Sequence, residues 1–268
     1  MSDNKPFVHL AAPYLINPVH RITVNLIGCG GSGSAMLSGL ARLDHTMRKL
    51  GHRGLHVTSY DPDTVSETNV GRQLFAPAEL GLNKAEALTT RLNRFYGLDW
   101  DAKDQLFDKN SNTTANIVIS CVDTAKARLH IDSVLRPAMH KESCGEHDCY
   151  YWMDLGNGQN TGQIIMGTVA AGKKIQSNLF RPVLTLPTVT QEYNLENVNE
   201  EDNGPSCSMA EAIARQDIFI NSTLSNIAAT LLWNLLKNHM TDIRGAYLNL
   251  GTFRMSPIMV DGMPPRNK

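Results

Sequence analysis

The run Ile22-Thr23-Val24-Asn25-Leu26-Ile27-Gly28-Cys29-Gly30-Gly31-Ser32-Gly33 constrains this chain more than any other stretch. An apolar segment meets a cluster of glycines, and helical spacing begins directly after it. That order reads as a buried strand over 22–28, a tight turn, and a helix over 32–50. Ala35, Leu37, Leu40, Leu43, Met47 and Leu50 share one helical face, and Gly51 ends the run. Glycines in such a turn let the backbone approach a phosphate, and the helix N-terminus offers unpaired N–H groups at the positive end of its dipole. A second strand over 55–60 ends on Asp61-Pro62-Asp63. Strand, helix and strand in this order form a parallel pair with a right-handed crossover.

The remaining elements extend the pattern. Asn83 caps a helix over 84–96, and a polar strand is expected near 100–107. The apolar run 116–123 is a strand that again ends on an aspartate, Asp123. A helix over 124–136 is stopped by Pro137. Strands over 150–155 and 163–169 flank a Gly/Asn turn. Residues 170–206 lose all periodicity, and a stretch that long without structure inside a folded unit reads as a lid or crossover. Ser208–His239 forms one long apolar helix or a broken pair, and 246–250 a last strand. The fold class is therefore α/β: a Rossmann-like doubly wound, mostly parallel sheet with a C-terminal mixed or antiparallel extension and a long crossover loop. The expected layout is one domain over 1–268, with an irregular N-terminal arm (1–20), a crossover loop (170–207) and a loose tail (256–268).

Composition narrows the partners. A formal net charge of −1 supplies no bulk attraction to nucleic acid or to an anionic membrane. The N-terminus has no apolar signal-peptide core, and no apolar run approaches the roughly 20 residues of a membrane span. Five scattered cysteines argue for a reducing cytoplasm and against a disulfide framework.

In a doubly wound sheet, ligands sit beyond the C-terminal strand ends. Three such ends carry candidate groups: the glycine loop (Gly28, Gly30, Gly31, Gly33), Asp61 and Asp123. Asp61 accepts ribose hydroxyls, or it caps the turn before Pro62. Between the second strand and the next helix lie Asp63, Asn69, Arg72, Gln73 and Lys84. The pyrophosphate of a dinucleotide is handled largely by backbone N–H groups. A triphosphate carries more charge and calls for cationic and amide donors together. Arg72 can fork onto phosphate oxygens, Lys84 adds a point charge, and Asn69 and Gln73 add neutral donors. Asp123 is placed to hold Mg²⁺ through oxygen.

With these residues in order, the chain resembles the ThiF/MoeB/ubiquitin-activating superfamily of adenylyltransferases. The likeness is carried by Gly28–Gly33, Asp61-Pro62-Asp63-Thr64-Val65, Asn69-Val70-Gly71-Arg72-Gln73, Gly81–Glu86 and Cys121-Val122-Asp123. It is weaker over Pro205–Ala212. The details most resemble the ThiF-related member of the plasmid-associated PRTRC cassette. The resemblance implies an enzyme that binds Mg·ATP and the C-terminal tail of a ubiquitin-like or sulfur-carrier-like protein, and joins them as an acyl-adenylate with release of pyrophosphate. It implies that Asp61 holds the ribose, that Asn69, Arg72, Gln73 and Lys84 meet the phosphates, and that Asp123 holds the metal. It also implies a homodimer. The cysteine at the position of Cys207 forms a covalent intermediate in some members. A thiolate at a helix N-terminus is nucleophilic, whereas a small buried cysteine under the following helix is the plainer reading; both stay open.

The chain also departs from the family pattern. It has no Cys-x-x-Cys pair for a structural zinc, and Cys144, His147 and Cys149 lack the spacing of one, so a surface loop is expected there. The run that places a partner arginine on the phosphates is missing from Tyr14–Arg21. Two other readings compete. An NAD(P)-dependent oxidoreductase is disfavoured because Asp61 follows Gly28 at more than the roughly 20 residues expected. A nucleotide-binding scaffold without catalysis is the third.

Overall fold

The computed structural model describes residues 5–111, 114–139, 145–170, 175–197 and 217–261. Its centre is β2 (Ile22–Ile27), paired in parallel with β3 (Leu55–Tyr60) on one side and β5 (Ile117–Ser120) on the other. Because the chain builds outward in opposite directions from β2, the crevice at its C-terminal end is a topological switch point. The short β4 (Asp101–Lys103) closes one edge beside β3. Beyond β5 lie β6 (Tyr151–Asn157), parallel to it, and then β7 (Thr161–Thr168), β10 (Ile243–Asn249) and β11 (Arg254–Met259), all antiparallel. The eight-stranded order is β11-β10-β7-β6-β5-β2-β3-β4. The expected class, a parallel sheet with an antiparallel C-terminal extension, is what the fold shows.

Two layers of helices cover this sheet. α2 (Gly31–Lys49), α3 (Lys84–Tyr96) and α6 (Ile220–Asn238) bury Leu37, Leu40, Leu88 and Leu232 against Val24, Leu26 and Ile119. α4 (Ala125–Leu135) and the single turn α5 (Val189–Glu192) cover the other face, where Ile131, Leu135 and Val189 meet Ile27, Val118 and Trp152. Helix boundaries follow local chemistry. The Asn83 side chain accepts the Glu86 N–H at the start of α3, and Gly97 ends that helix in the left-handed region. Thr124 accepts the Ala127 N–H at the start of α4.

Several expectations are corrected. The N-terminal arm is not irregular: β1 (Phe7–Leu10) pairs with β8 (Arg181–Pro182) and β9 (Met240–Thr241), and α1 (Pro13–Ile16) buries Leu15 completely. Its prolines punctuate elements rather than prevent them, since Pro13 stands in the first helical turn where no N–H partner is needed. The strand expected over 100–107 shrinks to Asp101–Lys103, polar because it is an exposed edge. The stretch expected to lack structure contains β8, α5 and a 3₁₀ turn at Leu195–Asn197. The final strand is a hairpin: β11 occupies 254–259, where a loose tail was expected from 256, and Pro257 is tolerated because an edge strand leaves one side unpaired. Of the long helix expected over 208–239, Ile220–Asn238 is seen, and the segment before it lies outside the described residues. The apolar face of α6 is spent on the chain's own core, with Ile220, Leu224, Ala228 and Leu235 fully buried.

His9 fastens the N-terminal strand to the sheet. Its Nδ1 donates to the Val183 carbonyl at 2.8 Å, so the neutral ring's Nε2 accepts from the Tyr151 hydroxyl at 2.9 Å. That hydroxyl in turn accepts the Ala12 N–H at 3.1 Å. Burial pulls the His9 pKa from 6.5 down to about 4. The unfolded chain thus takes up a proton that the native chain refuses. His9's contribution is complete above pH 6.5 and drains as pH falls towards 4, by on the order of 3 kcal/mol. In urea titrations between pH 7.5 and 4.5, the wild type should lose stability more steeply than His9→Gln. That variant should start about 1–3 kcal/mol lower at neutral pH.

Candidate active site

The site begins where β2 stops. Gly28 turns the chain with φ +86°, and a Cβ there would stand 2.7 Å from the Cys121 carbonyl oxygen. Gly33, in the first turn of α2, is pressed against the same turn: its Cβ would fall 1.8 Å from the Gly28 carbonyl oxygen. These two positions bring the α2 N-terminus against the strand end. Gly28, Gly30 and Gly31 line the open cleft, and Gly33 sits behind them.

Asp61, at the end of β3, is 5% exposed. One carboxylate oxygen accepts the Cys29 N–H at 2.6 Å and the other the Asp63 N–H at 2.9 Å. It therefore does cap the turn, and it clamps the glycine loop to β3 while lining the cleft. Burial raises its pKa, opposed by the two backbone N–H donors and by Lys84. Asn83 braces the same corner, donating to the Asp61 and Asp63 carbonyls and to Asp104. Lys84 reaches Asp63 at 2.8 Å; its side chain is 11% exposed and that of Asp63 65%.

The 66–73 loop divides its residues between support and site. Asn69 does not line the cleft. Its Oδ1 accepts from the Ser66 N–H and hydroxyl, each at 3.0 Å, and its carbonyl accepts the Gln73 N–H at 2.9 Å. Arg72 and Gln73 do line the cleft, and Gln73 Oε1 is buried without a hydrogen-bond partner beside the glycine loop. Asp123 lies exposed in the turn between β5 and α4 and faces the same space. Arg21, at the far end of β2, is bound to Asp99 and lies away from the cleft. Cys207 and Cys144 lie outside the described residues. Cys149 is buried rather than on a surface loop, and no group of three His, Cys, Asp or Glu residues suited to a metal occurs among the described residues. Burial raises the thiol pKa of Cys29 and of Cys121, which leaves both poor nucleophiles.

One pair escaped the sequence reading. Arg128 Nε donates to both Asp154 oxygens at 3.0 and 2.9 Å on the cleft floor. The signal was a lone carboxylate inside the apolar run 150–155, which demands a buried partner. Burial raises the Asp154 pKa, and Arg128 and Ser120 pull it back. The whole cleft encloses about 2570 Å³, well beyond the roughly 300–1,000 Å³ of a small-molecule site. Its far half is walled by β6, β7, β10 and β11 residues, including Gly156, Gln163, Tyr247 and Arg254.

Residues 14–267 match the ThiF family. The chain belongs to that family. Solved structures with a similar fold include PaaA, at 13% identity and TM-score 0.56 over 88% of this chain and 63% of that one. E. coli MccB with MccA gives 13% identity and TM-score 0.59 over 95% and 67%. E. coli MccB with ATP gives 13% identity and TM-score 0.55 over 91% and 64%. The likeness is one of fold, and this ThiF-family chain spans a little under two thirds of the length of PaaA. The sequence matches no curated protein. No helix among the described residues is long and apolar enough to cross a membrane.

The packing of the turn sets a test. Gly33→Ala should cost about 3 kcal/mol, because the methyl drives α2 off β2. Gly71→Ala has open space and only a positive φ to overcome, and should cost about 1–2 kcal/mol. Thermal melting of both variants checks the order.

Proposed function

We propose that this chain is an ATP-dependent adenylyltransferase that activates the C-terminal carboxylate of a ubiquitin-like or sulfur-carrier-like protein. One observation carries the reading: Arg72, Gln73 and Lys84 line the same cleft as the glycine loop, with Asp123 also facing it. A redox dinucleotide gives the two cations no task. The buried, unpartnered Gln73 Oε1 fits a ligand that brings a donor into the cleft. The cleft's size supports a second substrate beside the nucleotide.

In this reading the glycine loop and α2 N-terminus take phosphate oxygens, and Asp61 holds the ribose with lone pairs left over from its two backbone bonds. Arg72 and Lys84 offset charge at the α-phosphate. Asp63 is the partner from which Lys84 turns; because its carboxylate stands mostly in water, their attraction is screened and a phosphate competes well. Asn69 acts by holding this loop. A carboxylate oxygen of the tail attacks the α-phosphorus, the bond to the β-phosphate bridge breaks, and pyrophosphate leaves. The protein's part is placement and charge stabilisation. Mg²⁺ fits a single carboxylate plus phosphate oxygens, which Asp123 affords without a protein cage; when bound, it would neutralise charge on the phosphates.

Transfer of the acyl group to Cys207, with AMP leaving, is the second half of the proposal and rests on that residue's place in the sequence. The assignment to the PRTRC member, the homodimer and the cytoplasm rest on the sequence too. The long apolar helix adds nothing to the case for a dimer, because the buried face of α6 packs on the chain's own core.

ATP–pyrophosphate exchange with a co-encoded small protein tests the reading. Exchange should depend on that protein and fall by about 10²–10³-fold in Arg72→Ala and Asp123→Ala. ATP binding without exchange would point to a scaffold, and NADH binding without ATP binding to an oxidoreductase. A thiol-labile conjugate with the small protein should form in the wild type and disappear in Cys207→Ser; its persistence would remove the transfer step.

A further inference from the structure

Asp123 is exposed, yet residues on both sides of it, Ser120 and Thr124, are held by one buried ion pair. Ser120, the last residue of β5, is the register partner of Asp154 in the middle of β6. Ser120 Oγ donates to Asp154 Oδ1 at 2.5 Å and accepts from Trp152 Nε1 at 2.8 Å. On the other side of Asp123, Arg128 Nη1 donates to the Thr124 carbonyl at 3.3 Å. Its Nη2 donates to the Leu155 carbonyl at 3.3 Å, and its Nε grips Asp154. Residues 121–123 are thus bracketed by contacts to one carboxylate–guanidinium pair. The bracket is also seated on the glycine loop, because the Cys121 N–H donates to the Ile27 carbonyl at 2.8 Å and the Cys121 carbonyl lies over Gly28.

Stability alone is a weak reason for this arrangement. A buried ion pair is often no better than apolar packing of the same volume. Here the guanidinium fork reaches three residues, Thr124 on the turn and Asp154 and Leu155 on β6, which a lysine's single ammonium cannot reproduce. The geometry points to Arg128, held by Asp154, as a positioning residue for Asp123: it fixes where that carboxylate stands relative to the glycine loop, so that a divalent cation held by Asp123 lies within reach of a phosphate bound on the loop. This rests on the reading that Asp123 meets Mg²⁺ beside bound ATP.

The test is ATP binding by calorimetry with and without Mg²⁺, which needs no carrier protein. Wild type should bind ATP about tenfold more tightly with the metal, a gain of about 1.4 kcal/mol. Asp123→Asn should lose that gain. Arg128→Lys should keep its metal-free ATP affinity within about twofold and lose most of the Mg²⁺ enhancement. Gly156→Ala keeps both charges but sets a Cβ 3.0 Å from Arg128 Nη2; it should lose part of the enhancement, and it decides the matter if Arg128→Lys fails to fold. Full enhancement in both variants overturns the proposal, as does an equal loss of affinity with and without metal, the mark of a purely structural role. A wild type that binds no ATP overturns the adenylation reading itself. A wild type that binds ATP, with Asp123→Asn still fully enhanced, removes only the metal role of Asp123 and the positioning role with it.

Discussion

Everything at the crevice depends on one close backbone approach. Gly28 lies against the Cys121 carbonyl, and Gly33 lies against Gly28. The first contact seats the β5–α4 turn, and with it Asp123, beside the end of β2. The second brings the α2 N-terminus up to the same point. Asp61 then locks the loop by accepting the Cys29 N–H. A side chain at either glycine would push apart elements packed at this point: β2 and the β5–α4 turn at Gly28, β2 and α2 at Gly33. The site is therefore a property of backbone proximity first and of side-chain chemistry second.

The charges in the cleft divide by the exposure of their partners. Lys84 and Arg128 are both largely buried and both paired. Lys84's partner, Asp63, is mostly in water, so their bond is screened and weakly held. Arg128's partner, Asp154, is 1% exposed, and breaking that bond would strand a buried charge. The same pairing chemistry thus yields one cation held loosely at the cleft and one locked into the frame. Asn69 and Gln73 divide in the same way: one amide is consumed by its own loop, and the other keeps an unpartnered oxygen at the cleft.

Much of this was legible in the residue order. Period-3.6 and strand patterns placed α2, α3, α4 and the strands β2, β3, β5, β6 and β7, because each buries a face that its own sequence marks. The misreadings have two causes. β4, β8 and β11 are edge strands, made polar or proline-rich by having one side unpaired, and the partners of β1, β4 and β8 lie far away in sequence. Arg244 is a further case: it sits at a β-bulge in β10 and reaches Glu192 of α5 at 2.8 Å, a contact with no local signature.

The sequence alone determined the doubly wound class, the glycine turn, and the set Asp61, Asp63, Arg72, Gln73, Lys84 and Asp123, since spacing and residue type carry that information locally. Tertiary structure decided what each one touches. It turned Asp61 into a clamp on the loop, withdrew Asn69 into a brace and tied Lys84 to Asp63. It also revealed Arg128–Asp154 beneath Asp123. Those outcomes depend on which backbone groups and charges are brought together and shut off from water, and that is settled only when distant segments pack.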